Sequence, residues 1–294
     1  MKNTFLTSFL VLSLFTIMFM FSNCASQKYE NIAYLDKAVS EKTKDQHLPT
    51  LNIFSPKKIK KFSKKFDAKD QKLPVLIFVH GGNWNSGDKE TYNFFGKNFA
   101  KKGIVTVVVG YTLSPKANYD DMTKQVAAAI NWTKENIADY NGNPDKIFLT
   151  GHSAGGHLIA LSTMNPKYNV KDNTVSGLIL NDAAGLDMYN YLKKDPPTSN
   201  SNYDTTWTKN PETWKKASPI YYIDEKTPPI IIYLGKKTYE SIKVSNRAFL
   251  DSLHKVQPNV EPIMLNKSHV PMMVQYFFPW SNRYDEIIKF IKEN

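Results

Sequence analysis

The chain has 294 residues, 41% of them hydrophobic and 22% charged, which suits one large domain with a buried core and excludes a low-complexity or disordered polymer. Lys and Arg number 38 against 27 Asp and Glu, a net charge of +11, yet no nucleic-acid-reading motif accompanies the charge. The excess is scattered lysine with one cluster over residues 55–65, so it reads as a solvated surface rather than a nucleic-acid face.

In chain order, the first feature is an apolar run from Phe5 to Phe21 behind a single lysine, followed by Cys24, the only cysteine. A positive start and a short apolar run predict a secretory signal over residues 1–23, the run Phe5–Phe21 being short for a membrane span of about 20 residues. An uncleaved anchor is the alternative. The sole cysteine excludes an intrachain disulfide and stands where a bacterial lipoprotein carries its lipid, although Asn23 departs from the small residue usual before it. A polar stalk is expected over 24–47 and the folded domain over 48–294. The expected location is the bacterial cell envelope, with the protein held at the membrane through lipid on Cys24.

Within that domain, "LPTLNIFSP" predicts a strand ending at Pro56, and "KLPVLIFVH" a strand apolar on both faces that runs into a glycine pair. "TYNFFGKNFAKKG" has helical spacing, and "IVTVVVGY" is a β-branched strand. "YDDMTKQVAAAINWTKENIADY" is a helix with Asp120 and Asp121 in its first turn and Val126, Ile130 and Ile137 along one stripe. Further strands are predicted at "NPDKIFLT", "VSGLILND", "PPIIIYLG" and "VEPIML", with helices at "SIKVSNRAFLDSLHKV" and "RYDEIIKFIKEN". Strands alternating with helices, each strand apolar throughout, predict an α/β fold with a mostly parallel central sheet covered on both faces. Residues 186–227 are rich in aromatics and prolines and have no clear period.

Two motifs carry chemistry. "GHSAG" places Ser153 between a predicted strand and a predicted helix. A nucleophile at the apex of such a turn has a strained backbone, and its flanking glycines let strand and helix approach. "HGGNWNSGD" follows the strand that ends at Val79. Acyl transfer puts negative charge on a carbonyl oxygen, and backbone N–H groups of Gly81 or Gly82 together with Ala154 would hold it.

Together with "VTVVVGYTLSP" and "NPDKIFLTGHSAGGHLIA", these motifs resemble the α/β-hydrolase superfamily, over about residues 48–294. The nearest branch holds hormone-sensitive-lipase-like esterases, feruloyl and acetyl xylan esterases and kynurenine formamidases. The resemblance implies an α/β-hydrolase fold with a small cap insertion at about residues 186–227, a serine–histidine–acid triad, and no metal or other cofactor. It also implies that His80 holds the oxyanion loop by hydrogen bonding, with Trp84 packed beside it. His269, on the loop after the last strand, stands where the triad histidine is expected, while His254 reads as a surface residue. The acid is anomalous. The position where the resemblance implies Asp is Thr238, which carries no charge. Asp182, at the end of the preceding strand, is favoured; Glu240, Asp187 or a weakened dyad are the alternatives. The expected activity is cleavage of carboxylic esters, of short acyl or carbohydrate-linked type, through an acyl-enzyme. An arylformamidase-type amide hydrolase and a non-catalytic binding protein on the same fold are the alternatives.

Overall fold

The computed structural model describes residues 26–35, 48–57 and 72–294. Eight strands form one sheet in the order β1-β2-β4-β3-β5-β6-β7-β8. They are β1 (Ser26–Ala33), β2 (Thr50–Pro56), β3 (Leu73–Val79), β4 (Val105–Val109), β5 (Gly142–His152), β6 (Gly177–Asn181), β7 (Ile230–Gly235) and β8 (Ile263–Leu265). β1 and β2 run antiparallel to their neighbours, and every pair from β4 to β8 is parallel. All the parallel strands therefore end at one edge, where open α/β sheets bind ligands.

Alternation along β3 explains why both faces are covered. Val75, Ile77 and Val79 join one apolar cluster with Val126, Ile130 and Leu158, while Leu76 and Phe78 join another with Phe95, Phe99 and Ile287. The first cluster is roofed by α2 (Tyr119–Asn136), α3 (Ala154–Met164) and α7 (Glu240–Leu253); the second, on the opposite face, by α1 (Asn93–Lys101) and α9 (Asn282–Glu293). Helix α2 starts where the sequence places it, because Asn118 Oδ1 accepts the N–H groups of Asp120 and Asp121 at 2.9 and 3.0 Å. Between β6 and β7 lie the short helices α4 (Met188–Lys194), α5 (Tyr203–Trp207) and α6 (Pro211–Lys216), which occupy the expected cap segment. A one-turn helix, α8 (Pro271–Val274), follows the His269 loop.

One expectation is corrected. Residues 26–33 of the supposed stalk form β1, paired with β2 from Ser26–Pro56 to Ala33–Thr50. A register shift between Tyr29 and Ile32, with Asn31 at φ 53°, breaks the alternation that would have marked a strand. Tyr34 then buries its ring and donates its hydroxyl to Gly110 O at 2.8 Å. The expected signal over 1–23, Cys24 and His47 lie outside the described residues. Among the described residues no helix is long and apolar enough to cross a membrane.

Candidate active site

β5 ends at His152, and α3 begins at Ala154, so Ser153 alone makes the turn, at φ 54° and ψ −122°. A non-glycine residue holds such a conformation only where its surroundings over-determine it. Here Ser153 N–H donates to Asn181 O at 3.3 Å, and Ser153 O accepts from Ala184 N–H at 3.1 Å and His157 N–H at 3.3 Å. Helix and strand meet so closely that a Cβ on Gly155 would lie 2.1 Å from Val79 O. The elbow is thereby locked against β3 and β6 at once.

β3 and β5 are parallel neighbours, with Val79 opposite Gly151, so the loop after Val79 lies directly beside the elbow. In that loop His80 Nδ1–H donates to Gly81 O at 2.8 Å, and the ring stacks on Tyr111 at 4.5 Å. Burial pushes the His80 imidazole down, which suits a neutral ring with its proton on Nδ1. Gly82 sits at φ 124° and its carbonyl accepts the Ser86 N–H at 2.9 Å, turning the chain back on itself.

Trp84 packs edge-on against His157 and Trp207, at 5.5 and 4.7 Å, rather than on His80. Its Nε1–H donates to His157 Nδ1 at 3.2 Å, and His157 Nε2–H donates to Ala217 O at 2.7 Å. One neutral imidazole thus ties the glycine loop, the elbow helix and the segment after α6 together. Burial lowers its pKa to about 4.

His269 comes from the loop after β8. Its Nε2 is 2.9 Å from Ser153 Oγ, and its Nδ1 is 2.5 Å from Asp182 Oδ2. Asp182 is fully buried at the end of β6, where its own N–H donates to Tyr233 O at 2.8 Å. Its Oδ1 accepts the Gly235 N–H at 2.9 Å and its Oδ2 the Thr238 hydroxyl at 2.5 Å. The structure therefore brings Ser153, His269 and Asp182 into one hydrogen-bonded chain. Glu240 is outside it: the first residue of α7, it has a side chain 74% exposed and pairs with Lys243 at 3.4 Å. Asp187 is also outside, since its carboxylate caps α4 and binds the Asn190 side chain at 2.7 Å. His254, expected at the surface, is half-buried and donates from Nε2 to Val260 O at 2.8 Å.

The sequence did not single out His152, which stacks against His269 at 4.6 Å and donates from Nε2 to its carbonyl at 3.1 Å. Burial and the neighbouring His269 push His152 down to about 4, so this ring is neutral and serves to hold the loop. His152, Asp182 and His269 are the one group among the described residues whose donor atoms converge as metal ligands do, all within 4.8 Å. Both nitrogens of His269 and the facing carboxylate oxygen are committed to the hydrogen bonds just described.

Ser153 lines a cavity of about 520 Å³. The cap contributes Met188, Tyr191 and Tyr203 to its wall, and Tyr203 donates its hydroxyl to Asn83 Oδ1 at 3.0 Å. Trp207 and Trp214 are buried in the main apolar cluster instead, Trp207 against Trp84, His157 and Tyr119. The opposite wall holds Phe277, stacked on Phe94 at 3.7 Å, with Val270 and Val274.

A parallel sheet with a strained serine elbow, a glycine loop beside it and a histidine arriving after the last strand defines a member of the α/β-hydrolase superfamily. The chain belongs to the BD-FAE family, whose model matches residues 64–247. Among curated relatives, esterase LipQ of Mycobacterium tuberculosis is 30% identical over 202 residues, covering 63% of this chain and 47% of that protein. The chain spans about half the length of the curated relatives it matches. Esterase B of Lactobacillus rhamnosis shares the fold at a TM-score of 0.69 and 17% identity, over 92% of this chain and 86% of that one. The propionate-bound structure of the thermophilic esterase Est2 of Thermogutta terrifontis does so at a TM-score of 0.68 and 21% identity, over 92% and 94%.

Proposed function

We propose that the protein hydrolyses carboxylic esters through an acyl-enzyme on Ser153. The observation that carries this reading is the unbroken hydrogen-bonded chain from Ser153 Oγ through His269 to Asp182 at the wall of the cavity. His269 Nε2 takes the hydroxyl proton as Oγ attacks the ester carbonyl carbon. Asp182 keeps the other ring proton on Nδ1 and balances the imidazolium charge. Negative charge on the carbonyl oxygen is met by the N–H of Ala154 and of Gly81 or Gly82. Collapse of the tetrahedral intermediate breaks the bond to the alcohol oxygen, which leaves with the proton from Nε2. Water then repeats the sequence on the acyl-enzyme and releases the acid.

A short acyl group, on a simple or carbohydrate alcohol, is the substrate class we favour. A cavity of about 520 Å³ with aromatic and aliphatic walls suits a small uncharged acyl group, and Est2, which shares the fold, has propionate bound. A rate panel over acetyl to octanoyl p-nitrophenyl esters, acetylated sugars and N-formylanilines tests this. Highest kcat/KM at acyl chains of four carbons or fewer is expected; faster cleavage of the formylanilines would replace ester with amide hydrolysis.

We further propose that Cys24 carries a lipid anchor at the bacterial cell envelope. Its support is the sole cysteine behind the run Phe5–Phe21, two positions before the first strand. Mass spectrometry of the mature chain from a bacterial host should find an acylated N-terminal Cys24. An intact Met1 would contradict it.

A further inference from the structure

The carboxylate of Asp182 receives three donors, and two of them, the Gly235 N–H and the Thr238 hydroxyl, have no part in the proposed proton transfers. Thr238, 7% exposed, lies in the turn after β7, where its N–H donates to Gly235 O at 3.2 Å. Its hydroxyl donates to Asp182 Oδ2 at 2.5 Å, the same oxygen that faces His269 Nδ1 at 2.5 Å. The hydroxyl oxygen also stands 3.4 Å from Nδ1, so hydroxyl, carboxylate and ring edge form one closed cluster. The turn that carries it is tight: a Cβ on Gly235 would lie 2.7 Å from Lys267 O and 3.3 Å from Thr238 Cβ.

The terminal torsion of an aspartate is soft, with broad wells rather than sharp staggered ones. The Gly235 N–H fixes Oδ1 at 2.9 Å but leaves the carboxylate free to turn about that contact. A second fixed donor on Oδ2 removes this freedom and holds the oxygen against His269 Nδ1. Resting on the reading of Ser153, His269 and Asp182 as a relay, we infer that Thr238 is a positioning residue: its hydroxyl holds the Asp182 carboxylate in line with His269. It touches neither substrate nor reacting atoms and acts through Asp182 alone.

The test uses the full chain with p-nitrophenyl propionate. Hydrogen bonds to charged groups are the strong ones, so Thr238→Val, which keeps the shape and removes the donor, should lower kcat about tenfold or more. KM should stay within about twofold, since the hydroxyl makes no substrate contact. Thr238→Ser should recover most of the rate. In an Asp182→Asn background the same Thr238→Val change should cost less than about twofold, because the carboxylate it aims is gone. Wild-type kcat in Thr238→Val, or a loss of equal size in both backgrounds, would overturn the inference. If Asp182→Asn itself leaves kcat unchanged, the relay reading fails and takes the inference with it, a result separable from the other two.

Discussion

The acid at this site is a matter of which carboxylate the fold buries beside His269. Asp182 is fully buried with three donors on its oxygens, whereas the Glu240 carboxylate is exposed and paired with Lys243. Asp182→Asn keeps the shape but removes the charge and the control of the ring tautomer, and turnover should fall by about 10⁴. Glu240→Gln should change kcat by less than about twofold, as expected for an exposed surface group. Steady-state kinetics on both variants settle the assignment, and the reverse pattern would move the acid to the turn after β7. The sequence left the choice open for a physical reason. β6 and β7 are parallel neighbours in register at Asn181 and Tyr233, so the residues after both strands reach the same sheet edge. Which of them turns inward depends on the local backbone, here φ 50° at Asp182, and no spacing in the sequence encodes that. Thr238 was legible only as a missing acid; its role as a donor to the acid next door needs coordinates. That Ser153 and His269 would meet, by contrast, was readable from a motif and from the order of elements.

The elbow connecting β5 to α3 is the element on which the site rests. Gly155 packs its Cα against the backbone of β3, and an added methyl would meet Val79 O at 2.1 Å and His80 O at 2.7 Å. Both neighbours are main chain and cannot rotate away. Gly155→Ala should therefore destabilise the domain by about 3 kcal/mol or more, at the upper end for overpacking, and displace the glycine loop along with it. A denaturant midpoint within experimental error of wild type would show that the contact is looser than described. Helices and central strands were readable because their apolar patterns are long and regular. β1 was not. Its "SQKYENIA" is mostly polar, and the register shift between Tyr29 and Ile32 destroys the two-residue period, so it passes for a stalk. The aromatics of residues 186–227 divide in a way composition does not show: Trp207 and Trp214 join the main apolar cluster, while Tyr191 and Tyr203 line the cavity.

Across the molecule, two buried imidazoles couple stability to pH. His152 and His157 are each held near a pKa of about 4 by burial, against an ordinary value of 6.5. Between those values the unfolded chain binds a proton that the native state does not, so stability is full above about pH 6.5 and falls as the pH drops toward 4. Each ring contributes a slope of up to about 1.4 kcal/mol per pH unit in that window. Protonating His157 would also set its Nδ1–H against Trp84 Nε1–H, breaking the tie between glycine loop and cap. Urea midpoints from pH 7 to 4.5 should decline, and His157→Asn, less stable at pH 7, should show a shallower decline. A flat wild-type profile would mean these rings do not stay neutral. Glu90 does not add to this window: although burial opposes it, hydrogen bonds from Lys89, Asn52, Asn93 and Lys28 hold its carboxyl well below the usual range.

In the proposed mechanism the Ser153 hydroxyl draws its reactivity from the neighbours described above. Treatment with an alkyl fluorophosphonate, read by intact mass and by tandem mass spectrometry of the peptide spanning 146–160, measures that reactivity directly. The wild-type chain should gain one phosphonyl group, on Ser153, with loss of p-nitrophenyl propionate hydrolysis in proportion to labelling. Ser153→Ala should stay folded, remain unlabelled and lose most of the rate, keeping about 10³–10⁴ over water from the rest of the site. A wild-type chain that hydrolyses the ester while Ser153 stays unlabelled, or a Ser153→Ala variant at wild-type rate, would contradict the account.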